Sequence, residues 1–256
     1  MEGVGSYAMR HGAADRKGCV LRAACCVRGI PGPFTQHAAR SRSQYHPRMT
    51  SSPRVAFQGA PGAFGEEAVL RWRADAQPEP RGTFAAVLDA VVHGEADAAV
   101  LPVENRIAGL VAEARAALGE RATLLRVVGE VTQPIALCLL ALPGATTATV
   151  RVVRSHPVAL AQCGAFLRAH PDLVAEPWWD TAGAARDVAR AGDPAVGALA
   201  SRLAAERWGL VVLAAEVQDL ADNWTRFVVV TRRAERADAS DAASGEILPG
   251  APGAGG

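Results

Sequence analysis

RVAFQGAPGAFGEEA, residues 54–68, is the stretch on which the fold turns. Arg54–Gln58 sets Val55, Ala56 and Phe57 side by side, as in a short buried strand. Glycines follow at 59, 62 and 65, and from Phe64 to Ala74 the apolar residues take helical spacing. A strand that passes through a glycine turn into a helix is the opening unit of an α/β domain. The spacing G-x-x-G-x-x-G differs from the G-x-G-x-x-G of a dinucleotide-binding turn. Two uses of the turn stay open. It is a plain change of direction, or it aims backbone N–H groups near Gly62 and Ala63 at an anion, helped by the helix N-terminus.

Outward from this unit the alternation continues. The patterns predict helices over Phe84–Val92, Leu110–Leu118, Pro157–Arg168, Thr181–Ala191 and Ala200–Trp208. They predict strands over Ala98–Val103, Leu124–Val131, Pro134–Leu142, Val150–Arg154, Ala195–Leu199, Val211–Ala215 and Phe227–Thr231. The fold class is therefore α/β. The chain has 256 residues, half of them hydrophobic, enough for one sizeable domain or two small lobes. Its longest apolar run, Ile135–Leu142, is one strand long and well short of the roughly 18–20 residues of a membrane helix. The five cysteines form no C-x-x-C pair, which suits free thiols in a reducing compartment. The six histidines lack ligand spacing, so no metal is expected.

Charge is unevenly spread. Residues 1–53 hold eight Arg and Lys against two acids, whereas the remainder holds 19 against 24. The mildly acidic remainder argues against nucleic acid as a partner. The basic segment fits either a transit peptide or an upstream extension with Met49 as the true start. The segment 234–256 is rich in Ala, Gly and Asp and is expected to be disordered.

Four polar groupings stand at strand ends. Glu104 and Asn105 close the strand AAVLPV, at the edge where open α/β sheets bind ligands. Glu104 is a candidate proton donor if burial holds its proton; otherwise the pair is a solvated acid and a turn. Ser155 precedes His156-Pro157 as a candidate N-cap, and Gln162 follows seven residues on, near the same helix face. Cys163 beside it reads as a small core residue, with no base paired to it. Thr225 and Arg226 stand before the last strand, one hydroxyl beside one fixed cation; they are a carboxylate clamp or simply a cap and a surface arginine.

Taken in order, FQGAPGAFGEEA, GEADAAVLPVENRIAG, SHPVALAQC, DTAGAARDV and DNWTRF resemble the catalytic domain of the prephenate dehydratases across Val55–Val230. The resemblance implies two α/β lobes like a type II periplasmic binding protein, with the active site in the interlobe cleft. It places one lobe at about 54–131 plus 208–233 and the other at about 132–207. It implies Thr225, Glu104 and Asn105 as catalytic residues, with Ser155, Gln162, Arg226, Gly62, Ala63 and Arg106 binding substrate. The implied substrate is prephenate, with no cofactor, no membrane and a homodimer, in the cytoplasm or, if residues 1–53 are a transit peptide, in a plastid. Arogenate dehydration, decarboxylation without aromatisation, and ligand sensing without turnover remain as alternatives.

Two departures from the family pattern stand out. Arg106 and Leu110 replace small residues after Glu-Asn. The stretch after Arg233 also lacks the length and aromatic residues of the family's phenylalanine-binding regulatory domain.

Overall fold

The computed structural model describes residues 52–233. The expectations for residues 1–51 and 234–256 lie outside the described residues. The chain opens with β1 (Arg54–Gln58), α1 (Phe64–Trp72), β2 (Gln77–Arg81), α2 (Phe84–Val92), β3 (Ala98–Asn105), β4 (Gly109–Leu110), α3 (Ala112–Glu120) and β5 (Leu125–Pro134). It continues with β6 (Cys138–Ala141), β7 (Val152–Ser155), α4 (Pro157–Ala161), α5 (Gly164–Ala169), β8 (Val174–Pro177), α6 (Thr181–Ala191) and β9 (Val196–Ala200). The described part ends with α7 (Arg202–Trp208), β10 (Val211–Ala214) and β11 (Trp224–Arg232).

Two sheets carry this mixed α/β fold. The first runs β2-β1-β3-β11-β5, with β4 attached to β3; the second runs β10-β6-β9-β7-β8. In the first, β1 is parallel to both its neighbours, and β11 enters antiparallel between β3 and β5. Each sheet buries an apolar face. Ala56, Ala99, Leu101 and Val228 pack with Val87, Leu88 and Val91 of α2. On the opposite side Val55, Phe57, Val100 and Val229 belong to one cluster with Leu140, Ala198 and Ala204 of the second sheet's layer. The buried strand patterns of β1 and β3 follow from being covered on both faces.

Several boundaries differ from the sequence expectation. β10 pairs with β6 of the second sheet and not with the first, so the chain returns after Ala214 and not near Trp208. The cause is the short Gly209-Leu210 link, which turns the chain straight back beside its own helix. The outward crossing also comes later, because β5 pairs with β11 as far as Pro134. The expected helix over Pro157–Arg168 is two short helices. The break is held open by Asp219, whose N–H donates to the Gln162 carbonyl at 2.7 Å and whose carboxylate accepts from Ala165 N at 2.8 Å.

β2 and β8 carry no apolar alternation, and each lies at a sheet edge. In β2, Gln77 N donates inward to Pro53 O, so alternation turns Pro78 and Pro80 to the side where no partner strand lies. Prolines there leave nothing for a foreign strand to accept.

The glycine turn joins the two layers. Gly62 has φ +92, and a Cβ there would come within 2.4 Å of Ala204 Cα in α7. Its N–H donates to Glu66 Oε2 at 2.6 Å, and its carbonyl accepts from Ser201 Oγ at 2.6 Å. Glu66 thus reaches back over the start of α1 much as the acid of a capping box does. Beside it, Glu67 faces Gln133 at the end of β5, and Arg71, Arg202 and Glu206 line the same open pocket. Burial pushes the Glu67 carboxyl up to about 7, against the pull of Arg71.

That shift has a definite sign. Between the ordinary value of 4.5 and about 7, the folded chain keeps a proton that the unfolded chain has released. Stability contributed at this position therefore falls as pH rises through that window. In thermal unfolding, Glu67→Gln should melt about 2–4 °C above the parent chain at pH 8 and converge with it near pH 5. An equal offset at both pH values would show that burial of the charge is not the cause.

Candidate active site

The end of β3 meets the beginning of β11 in antiparallel register, Asn105 opposite Thr225 and Glu104 opposite Arg226. Successive strand residues project to opposite sides, so the two pairs are sorted apart. Asn105 and Thr225 share one side. Asn105 Nδ2 donates to Thr225 Oγ1 at 2.9 Å and to the Trp224 carbonyl at 3.0 Å. Its Oδ1 accepts the backbone N–H groups of Ile107 at 3.0 Å and Ala108 at 2.8 Å. With the oxygen clamped by two donors, the nitrogen has to face Thr225. The Thr225 oxygen is thereby used as an acceptor, and its proton is left to donate to another group.

Gln162 comes to the same place from the second layer. It follows the last turn of α4, and its amide contacts Asn105 Oδ1 at 3.4 Å and Asn223 Nδ2 at 3.2 Å. The helix break is what turns it there; it does not continue a helix face begun at Ser155. Thr225, Gln162 and Asn223 are all buried. Asn223 stands within DNWTRF but carries no role in the sequence reading. A buried amide beside the threonine is visible as a signal only once the register is known.

The other candidates lie elsewhere or are already engaged. Ser155 is fully buried and donates to the Leu199 carbonyl at 2.6 Å, tying β7 to β9. The helix after it is capped by His156, whose ring nitrogen accepts from Val158 N at 3.3 Å. Glu104 is not a buried acid. Its side chain is 36% exposed, and it accepts from Arg226 at 2.8 and 3.2 Å. Arg226 also lies 3.5 Å from Glu130, so its charge is met by two acids on the side away from Thr225. Arg106 is exposed and pairs with Asp222. The glycine turn does not offer Gly62 and Ala63 as free donors: Gly62 N–H serves Glu66, and Ala63 N–H serves the Ala60 carbonyl at 3.1 Å. Asp180 accepts from Ala60 N at 3.3 Å and from Gly183 N at 2.8 Å, joining the turn to the start of α6. Burial pushes the Cys163 thiol up to about 12, which keeps it protonated and unreactive near neutrality. Among the described residues no group of His, Cys, Asp and Glu side chains is arranged to hold a metal ion. No helix among them is long and apolar enough to cross a membrane.

Two sheets bridged at a hydroxyl-and-amide cluster define a mixed α/β domain. The prephenate dehydratase family model matches residues 55–235, and the chain belongs to that family. A bifunctional N-acyl-homoserine lactone acylase/prephenate dehydratase of Komagataeibacter europaeus is 42% identical over 180 residues, 70% of this chain. Arogenate dehydratase 5, chloroplastic, of Arabidopsis thaliana is 41% identical over 187 residues, 73% of this chain. The chain spans 63% and 44% of the length of these two relatives. Among solved structures, the Arthrobacter aurescens prephenate dehydratase in complex with L-Phe superposes with a TM-score of 0.64 at 33% identity. That match covers 71% of this chain and 61% of the other.

The sorting of side chains predicts unequal effects. Asn105→Ala removes the donor to Thr225 and should lower kcat/KM by about 100-fold, the usual effect of losing a placed donor. Glu104→Gln, on the other side of the strand, should lower it by less than about fivefold. Steady-state kinetics on both variants checks this, and equal losses would place Glu104 in the chemistry after all.

Proposed function

We propose that the chain dehydrates prephenate with loss of carbon dioxide, giving phenylpyruvate. The observation that carries the reading is the Asn105-to-Thr225 hydrogen bond, which spends the threonine oxygen and leaves its proton to donate. In this reaction the ring carbon–carboxylate bond breaks and carbon dioxide leaves. Its electron pair enters the ring, and the ring hydroxyl departs at C4. Aromatisation supplies the driving force, so the protein has chiefly to hold the geometry and ease the departure of hydroxide. Family membership, and relatives named as prephenate or arogenate dehydratases, support the substrate class.

Thr225 acts here as a hydrogen-bond donor to the leaving oxygen, since an alcohol is far too weak an acid to serve alone as a general acid near neutrality. Glu104 is not the proton source, because it is half-exposed and held by Arg226. The departing hydroxide leaves to solvent, where the buffer protonates it or the released carbon dioxide takes it up as bicarbonate. Arogenate is the second substrate to consider, because 73% of this chain aligns with enzymes named for it. Nothing in the Thr225 cluster distinguishes a keto from an amino side chain. A homodimer is the assembly we propose from the family resemblance, checked by sedimentation of the purified chain.

The test is turnover. The purified chain should form phenylpyruvate from prephenate, or phenylalanine from arogenate. Thr225→Ala should lower kcat by about 100-fold or more with KM changed by less than about threefold, while Thr225→Ser keeps most of the rate. Consumption of prephenate without an aromatic product would move the assignment to a decarboxylase. Binding without turnover, unaffected by Thr225→Ala, would leave a ligand sensor.

A further inference from the structure

Three side-chain amides close a ring across the two layers. Asn105 Nδ2 lies 3.3 Å from Asn223 Oδ1, Asn223 Nδ2 lies 3.2 Å from Gln162 Oε1, and Gln162 Nε2 lies 3.4 Å from Asn105 Oδ1. Each nitrogen faces the oxygen of the next amide. The two Asn105 Nδ2 hydrogens point first to Thr225 Oγ1 and the Trp224 carbonyl, so the approach of that nitrogen to Asn223 is a long, shared contact. So is the approach of Gln162 to the twice-held Asn105 oxygen. Asn105 ends β3, Gln162 follows α4, and Asn223 sits where the chain returns to the first sheet. The Asn223 backbone carbonyl also accepts from Ile135 N at 3.0 Å, at the outward crossing. One buried residue therefore touches both crossings and both layers.

The direction of the ring is not free. Two backbone N–H groups hold the Asn105 oxygen, so its nitrogen faces Thr225 and Asn223. Asn223 must then present its oxygen to Asn105 and its nitrogen to Gln162. That contact holds the Gln162 oxygen inward and leaves its nitrogen, which has a second N–H, on the other side. Distances of 3.2–3.4 Å lie at or beyond the long end of the hydrogen-bond range, so the ring sets orientation more than it adds stability.

We propose that Asn223 is a positioning residue for the reaction. It fixes the Gln162 amide so that an N–H, and not a carbonyl, meets an oxygen of the bound substrate. The same contact steadies the Asn105 nitrogen that orients Thr225. The inference rests on the dehydratase reading for its substrate: prephenate offers oxygen acceptors and one hydroxyl, and a rotated Gln162 would set oxygen against oxygen.

Asn223→Asp is the informative variant. It keeps an acceptor for Asn105 but sets a carboxylate against the Gln162 oxygen. With whichever substrate the parent chain turns over, kcat/KM should fall by about 10- to 100-fold at pH 8, mostly in kcat. The ratio of variant to parent should rise as pH falls toward about 5, because burial at this position raises a carboxyl above the ordinary aspartate value of about 3.9 and the protonated form regains a donor. A ratio that stays constant with pH would reduce Asn223 to a structural residue and overturn the proposal. A second readout needs no turnover. In isotope-labelled Asn223→Ala that melts within a few degrees of the parent, the side-chain amide protons of Gln162 and Asn105 should exchange with solvent at least about tenfold faster by NMR. Unchanged exchange would equally overturn it. If the parent chain converts neither prephenate nor arogenate, the dehydratase reading fails, and amide exchange still decides whether Asn223 orients its neighbours.

Discussion

The hydrogen bond from Asn105 to Thr225 exists because β11 lies against β3 in one particular register. A shift of β11 by a single residue would exchange its own two sides, bringing Arg226 to the face that holds Asn105 and sending the Thr225 hydroxyl away from it. Two things hold that register. The apolar residues Phe227, Val228, Val229 and Val230 are each buried in a cluster whose face they must match. The irregularity between Arg226 and Phe227 then takes up one extra residue of β3 and re-aims the strand beyond it. The core of the first sheet and the placement of the site are thus set by the same strand pair.

The sorting also separates charge from chemistry. On one side of β11 stand neutral donors and acceptors, largely buried and mutually satisfied. On the other stand Arg226, Glu104 and Glu130, partly exposed, where an ion pair adds little to stability. Arg106, a departure from the family pattern, brings a cation to the rim, and Asp222 meets it there.

Much of this is legible in the amino-acid order alone. β1, α2 and α6 fall on the spans their periodicity predicts, because apolar spacing and punctuation agree there. The order of the motifs points to the family and to a two-lobed α/β fold. The illegible parts depend on partners far along the chain. β2 and β8 are strands only by virtue of a neighbour, and prolines in both hide them. The break between α4 and α5 is made by Asp219, more than fifty residues away. Glu104 and Thr225 both look like site residues in one dimension; only the register puts them on opposite faces of the sheet. Asn223 goes unassigned for the same reason, since its two amide partners come from distant segments.

β11 is the last strand of the described chain and yet an inner strand of the first sheet. Until it arrives, β3 and β5 each present an open edge, and the second layer has to form in between. Pairings that span some 120 residues, such as Asn105 with Thr225, carry a large loop-closure cost and come late in folding. During synthesis the growing polypeptide would expose two apolar, unpaired strand borders until nearly all of the domain had left the ribosome. Such borders invite aggregation. Joining Asn105 to Thr225 and silencing that hazard are then the same kinetic event.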